Sequence, residues 1–305
     1  MPSVTLAESA KLSQNQLVAG IIENIITVNR MYEVLPFDGI NGNALAYNRE
    51  NVLGDVDVYG VGSTIGAKAA ATFTQVTSTL TSIIGDAEVN GLIQVTRSEF
   101  NDQTAVQIGS KAKSAGRKYQ DMLINGTGSG DQFNGLLNLV DSAQQVDAGT
   151  NGAALSFELI DEMMDLVLDK DGQVDYLTMN ARTIRSYNAL LRGLGGASIN
   201  EVVTLPSGAQ VPAYRGVPIF RNDYIPINQT QGTETAATTI FAGTLDDGSR
   251  TQGIAGLTAS EASGIQVVDV GESETKDEHI WRIKWYSGLA LFSLKGLAAV
   301  KGINN

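Results

Sequence analysis

The sequence contains no cysteine and a single histidine, His279. Disulfides and thiolate metal sites are therefore excluded, and a zinc site of ordinary ligand type cannot be assembled. Serine–histidine catalysis would rest on His279 alone, and no G-x-S-x-G nucleophile elbow accompanies it. Charge is also scarce, at 18% of 305 residues against the usual quarter. The charge present is mostly of one sign, with 33 acidic against 21 basic side chains and a net charge of -12. That balance opposes tight binding of nucleic acid, which depends on Lys and Arg neutralising phosphates. No apolar run approaches the roughly 18 residues of a membrane span. The opening MPSVTLAESAKLSQNQ lacks the basic segment and apolar core of a signal peptide. The expectation is a soluble protein that matures inside a cell, with no membrane partner. Low charge combined with 33 glycines fits a surface largely covered in an assembly.

What is present is a clear alternation of helical and extended patterns. Thr5 and Glu8 form a capping box, and Leu17, Val18, Ile21, Ile22, Ile25 and Ile26 define one helical face. From Leu35 to Gly85 the chain turns to Gly, Asn and β-formers. ALAYN and VDVYGV read as one strand of a long hairpin, with ATFTQVTSTL as its return. So polar a hairpin has little to bury by itself and needs a partner surface. LIQVTR (residues 92–97) reads as a short strand. Next, Ala105, Ile108, Ala112, Ala115, Tyr119 and Met122 mark a helix of about six turns, with Ser98, Asn101 and Asp102 as candidate caps and Gly126 just past its end.

A polar linker covers residues 141–154, followed by an α/β pattern. Phe157, Ile160, Met163, Met164, Val167 and Leu168 predict a helix, DYLTM a strand, and Asn180 the cap of a second helix carrying Ile184, Tyr187, Leu190 and Leu191. Two strands flank the turn at Pro206-Ser207-Gly208. Gln229 to Thr239 reads as a polar loop and TTIFAG as a strand. From His279 to Val300 the pattern alternates, with Trp281, Ile283 and Trp285 opposite Arg282, Lys284 and Tyr286, and LALFSLKGLAAV continues it as a buried strand.

Motifs that resemble binding loops fail on spacing. GVGSTIG (residues 60–66) is followed by no Walker lysine and reads as a hairpin tip. Asp169-Lys170-Asp171-Gly172 has its glycine too early for a calcium loop and no closing Glu. GESETKDEH (residues 271–279) reads as a solvated acidic loop rather than a cation site. No catalytic, cofactor or metal residues are assigned, and an enzyme is not expected.

The stiff segment YRGVPIFRNDYIP (residues 214–226) offers no catalytic chemistry; Gly216 and Pro218 set its backbone, and Pro226 is expected to end its strand. Together with Asp175-Tyr176-Leu177-Thr178-Met179-Asn180 and Phe241-Ala242-Gly243-Thr244-Leu245 it resembles, in order and spacing, the major capsid protein of tailed double-stranded-DNA bacteriophages, the Hong Kong 97 fold family. The resemblance covers nearly the whole chain. It implies an α+β fold with an N-terminal arm (1–34), an E-loop hairpin (35–85), a P-domain with a long spine helix (86–140), an inserted A-domain (141–228), and an A-domain end returning to the P-domain sheet (229–305).

On that resemblance the chain is a structural head protein assembling as pentamers and hexamers of an icosahedral shell around packaged DNA, which it does not bind specifically. The shell would be part of a virion built in the host bacterial cytoplasm, with scaffold, portal and possible decoration proteins as partners. The short segment before the hairpin implies a separate scaffold. Some family members cross-link a hairpin Lys to a neighbour's Asn; the only hairpin Lys here is Lys68, and that chemistry is not expected. Glu23, Arg30, Arg49, Glu50 and Lys68 are candidate inter-subunit contacts by location. Two alternatives stay open: an encapsulin nanocompartment shell of the same fold, enclosing a cargo enzyme, and a small-molecule α/β enzyme.

Overall fold

The computed structural model describes residues 30–97, 103–169, 172–194 and 201–304. The expected arm helix, Glu23, and the candidate caps Ser98, Asn101 and Asp102 lie outside the described residues.

The first stretch is extended. Strand β1 is Phe37–Ile40, β2 Ala44–Val52, β3 Thr72–Thr79 and β4 Thr81–Asn90. Only β2 and β3 form the hairpin, antiparallel from Ala44↔Thr79 to Val52↔Thr72. VDVYGV, expected as strand, instead lies in the loop between them. β4 continues past the hairpin and pairs with the long strand β14 (Glu278–Leu291) along ten residue pairs, from Thr81↔Ser287 to Asn90↔Glu278.

LIQVTR is helical, not extended: α1 spans Gly91–Arg97. Its β-forming composition is overridden locally. β4 stops at Asn90, whose side-chain carbonyl accepts the Leu92 N–H at 3.0 Å, and Asn90 Nδ2 donates to the Asp277 carbonyl at 2.8 Å. A side chain that takes up an orphan N–H starts a helix there. Helix α2 (Gln103–Asn125) is 23 residues long, about 34 Å at the α-helical rise. Ile108, Ala112, Ala115, Tyr119 and Met122 are buried as the periodicity predicts, whereas Ala105 is exposed.

Gly126 follows α2, but its φ is not positive, so it is not a left-handed cap. It is needed for close approach. A Cβ there would lie 2.3 Å from the Phe133 carbonyl oxygen, and the Gly126 carbonyl accepts from Gly135 N at 2.8 Å.

The second stretch holds α3 (Leu136–Leu139), β5 (Gln145–Asp147), α4 (Phe157–Leu168), β6 (Tyr176–Met179), α5 (Ala181–Gly193), β7 (Val202–Thr204), β8 (Gln210–Tyr214) and β9 (Val217–Arg221). The presumed linker therefore contains a strand: β5 pairs in parallel with β15 (Leu297–Ile303) and buries Val146. Asn180 caps α5 as expected, its Oδ1 accepting from Thr183 N at 2.8 Å. β8 and β9 are joined by Arg215 (φ 51) and Gly216 (φ 80), the paired left-handed conformations of a tight hairpin. β9 ends at Arg221, before Pro226; Asn222 stops it by accepting from Tyr224 N at 3.0 Å.

The third stretch holds β10 (Gln229–Gln231), β11 (Glu234–Gly243), β12 (Ile254–Ala259), β13 (Ile265–Glu272), β14 and β15. The polar loop expected at 229–239 is the β10–β11 hairpin. The single strand expected from His279 to Val300 is two. β14 ends at Leu291, a 3₁₀ turn occupies Leu294–Gly296, and β15 joins another sheet.

Two large sheets result. The five-stranded one has the order β1-β12-β14-β13, with β4 also on β14; the eight-stranded one has the order β5-β15-β11-β6-β9-β8-β7, with β10 on β11. α2 packs on the first through Ile108, Ala112 and Tyr119 against Ile83, Ala87, Ile283 and Trp285, and the rings of Tyr119 and Trp285 are 4.5 Å apart. α4 and α5 cover the second, with Ile160, Met163, Val167 and Tyr187 over Leu177, Ile219, Ile240 and Val300. β6 is buried on both faces, so YLTM shows no alternation. After β11 the chain passes into the five-stranded sheet as β12, β13 and β14, and its last strand, β15, pairs with β5 and β11 of the eight-stranded one. Among the described residues no helix is long and apolar enough to cross a membrane.

Candidate functional site

The most distinctive surface is the β2–β3 hairpin. Its root is anchored. Tyr47 OH donates to the Leu291 carbonyl at 2.8 Å, and Arg49 Nε donates to the Phe292 carbonyl at 3.0 Å. A second Arg49 nitrogen also donates to the Leu291 carbonyl. The Tyr47 and Phe292 rings meet edge to face at 5.2 Å, above a small core of Ile40, Ala255, Leu257, Ala290 and Phe292. Tyr47, Arg49 and Val76 share the inward face because alternate residues of a strand point the same way.

Beyond the root the hairpin projects without cover. Leu53, Val56, Val58, Val61, Ile65 and Phe73 are all exposed, Val58 at 96%. A run of apolar side chains this open is costly in water and marks an interaction surface. The loop is nonetheless internally tied. Asp55 N donates to the Ala69 carbonyl at 3.0 Å, Lys68 pairs with Asp57 at 3.4 Å and lies 4.9 Å over the Tyr59 ring, and Gly66 N donates to Tyr59 OH at 3.2 Å.

The candidate contact charges are thus scattered. Arg30 pairs with Glu33 at 3.5 Å, beside the β7–β8 turn, where Ser207 Oγ donates to Glu33. Arg49 is turned inward as an anchor, Glu50 is exposed on the opposite hairpin face, and Lys68 clasps the loop. No sequence signal marked Tyr47 or Arg49 as partners of residues 291–292, because the contact joins segments far apart in the chain.

A cleft of about 680 Å³ opens between β2 and the β14–β15 crossover, with Arg49, Glu50, Arg250 and Lys295 on its walls. Arg250 is held by Asp38 at 2.5 and 2.9 Å, and Lys295 lies 3.2 Å from Asp169. Guanidinium groups held by carboxylates and carbonyls are structural ties rather than acid–base catalysts. On the face of the five-stranded sheet turned away from α2, Arg282 grips Asp86 through two 2.7 Å hydrogen bonds, which hold the Asp86 carboxyl below its ordinary range. Among the described residues no group of three His, Asp or Glu side chains is placed to hold a metal ion.

The chain has the Hong Kong 97 fold. Residues 88–274, more than half of the chain, match the family model "Type 2A encapsulin shell protein SrpI-like", and the chain belongs to that family. Among solved structures it is similar to the SrpI encapsulin of Synechococcus elongatus, with a TM-score of 0.70 and 18% identity over 90% of this chain and 86% of that one. The capsid of cyanophage A-1(L) is similar with a TM-score of 0.68 and 12% identity, over 90% and 93% of the two chains. The capsid of a native GTA particle is similar with a TM-score of 0.64 and 13% identity, over 90% and 89%. No curated protein sequence matches the chain.

Proposed function

We propose that the chain is the shell subunit of an encapsulin nanocompartment: many copies close into an icosahedral shell that encloses a protein cargo. The observation that carries this reading is the family match over residues 88–274. It favours the encapsulin alternative over the tailed-phage head that the sequence resemblance put first. On this reading the β2–β3 hairpin is the E-loop, α2 and the five-stranded sheet form the P-domain, and the eight-stranded sheet forms the A-domain. The shell stands in the cytoplasm of the cell that makes it. Scaffold, portal, decoration proteins and packaged DNA belong to the phage reading and have no role in this one.

The uncovered hairpin supports assembly, since its apolar tip gains a dry environment only against a neighbour. Glu50, exposed on the outer hairpin face, is the inter-subunit contact best placed for this; Arg30, Arg49 and Lys68 act first within their own chain. The test is expression in the native host, isolation of particles and negative-stain electron microscopy, followed by identification of the contents. Shells holding one dominant protein support the encapsulin reading. Shells holding long double-stranded DNA support the phage head. A monomer that never assembles overturns both.

A further inference from the structure

Charge is segregated on the five-stranded sheet and its helix. Between Gln103 and Gln120, α2 carries Lys111, Lys113, Arg117 and Lys118 and no carboxylate, all four exposed. This is an unusual concentration in a chain of net charge -12. The band continues around β4, which pairs only with β14 among the described residues. Lys111 reaches that edge, its Cδ 3.9 Å from where a Gly85 Cβ would stand. Arg282 and Lys284 follow on β14, and with Lys111 they lower the Asp86 pKa. Six basic side chains thus surround two carboxylates, Asp86 and Asp121.

The far end of the same sheet is the opposite. The β13–β14 turn and its neighbours bring together Glu88, Asp269, Glu272, Glu274, Asp277 and Glu278. Lys276 pairs with Glu278 there at 3.6 Å, and His279 Nε2 lies 2.6 Å from Asp269. The two regions are one strand segment apart. Asn90 pairs with Glu278 at the acidic end, and Gly85 pairs with Ile283 beside the basic band. Five residues of strand span about 17 Å, roughly twice the Debye length of about 8 Å at physiological salt. Glu88 and Asp269 lie nearer, two residues from Asp86 and opposite Trp281, whereas Glu272, Glu274 and Asp277 of the turn stand beyond the reach of Lys113 and Arg117 in the same copy.

We infer that the acidic β13–β14 turn of one copy docks on the basic band of α2 and β4 of a second copy. The inference rests on the shell reading, which supplies many identical copies. The contact is head to tail: two different patches meet, and repetition with the right rotation closes a ring or shell. Its favoured occupant is the chain itself, because a net charge of -12 disfavours a polyanion overall, whereas a second copy brings a carboxylate-rich turn complementary in charge to the band.

Charge swaps test it. The full-length protein is compared with K113E/R117E, with E272K/E274K, and with the chain carrying all four changes. Negative-stain microscopy and light scattering read the subunit concentration at which shells form, at low and at high salt. Circular dichroism checks that each variant folds, and E272K/E274K probes the contact independently if K113E/R117E does not. Each pair alone is expected to raise the assembly concentration about tenfold or more, since attraction becomes repulsion at exposed pairs. The fourfold swap is expected to restore it, because the contact is then reversed but complementary. Folded variants that assemble at unchanged concentration overturn the inference and leave the shell reading intact. A wild type that forms no shell at any salt overturns the shell reading itself. Nucleic acid bound by wild-type shells and lost from K113E/R117E shells, with assembly unchanged, shows that the band serves a polyanion and overturns the second-copy assignment.

Discussion

The phenolic hydroxyl of Tyr47 donates a 2.8 Å hydrogen bond to the carbonyl of Leu291, across a separation of 244 residues. Leu291 is the last residue of β14, where the chain leaves one sheet for the other. The hairpin is thus rooted at the crossover, and Arg49 reinforces the root from the same hairpin face. Arg49→Ala removes charged donors from two carbonyls and is expected to cost about 1–2 kcal/mol locally. Hydrogen exchange of the β2 and β3 amides should accelerate about tenfold, while that of β6 and β11 stays unchanged. Tyr47→Phe should show a smaller effect of the same pattern.

Asn180 is 2% exposed and serves two masters. Its Oδ1 caps α5 and its Nδ2 donates to Thr238 Oγ1 at 2.6 Å. Thr238 Oγ1 in turn donates to the Pro226 carbonyl at 2.7 Å. Asn180→Ala removes the cap and leaves a buried hydroxyl short of a partner, a loss of about 2–3 kcal/mol. Denaturant melts should show a lower midpoint at an unchanged slope.

Two glycines around α2 should respond oppositely to alanine. At Gly126 a Cβ meets backbone atoms at 2.3, 2.6 and 2.9 Å. Gly126→Ala is expected to cost about 3 kcal/mol or more, through forced backbone movement. At Gly109, inside the helix, a Cβ meets nothing within 4 Å. Gly109→Ala should stabilise the protein by about 0.5–1 kcal/mol by raising helix propensity. Thermal melts of the two variants decide both.

Asp86 supplies a pH signature. Its folded pKa is lowered, first by the hydrogen bonds from Arg282. A depressed carboxyl stabilises the fold above its unfolded pKa, and that stability is lost as pH falls through the folded value. Asp86→Asn should therefore melt below wild type at neutral pH. The gap should close as pH falls through and below the ordinary carboxylate range near 4. A gap that persists unchanged at acid pH would mean that the ion pair contributes nothing.

Legibility followed the range of the interactions. The buried stripe of α2, the Asn180 cap and the β7–β8 turn at Gly208 (φ 81) were readable because each is decided within a few residues. Residues 92–97 misled because their β-forming composition carries no sign of Asn90, whose side chain starts a helix there. β5 and β10 read as linker and loop because they are polar and three residues each, and β5 finds its partner, β15, about 150 residues away. The break between β14 and β15 was hidden for the same reason: Leu289 and Leu297 look alike in sequence, yet a 3₁₀ turn sends β15 to β11 while β14 stays with β12.

By itself the sequence carried the resemblance to the Hong Kong 97 fold, in the order and spacing of residues 175–180, 214–226 and 241–245. Periodicity and caps are local properties of the chain, and so they could be read. Tertiary structure alone decided where the surfaces lie. It turned Arg49 inward, left the apolar loop tip exposed, and drew basic and acidic residues from separate segments onto one sheet and its helix. Those placements depend on strand pairings between residues far apart in the chain, which no local pattern specifies.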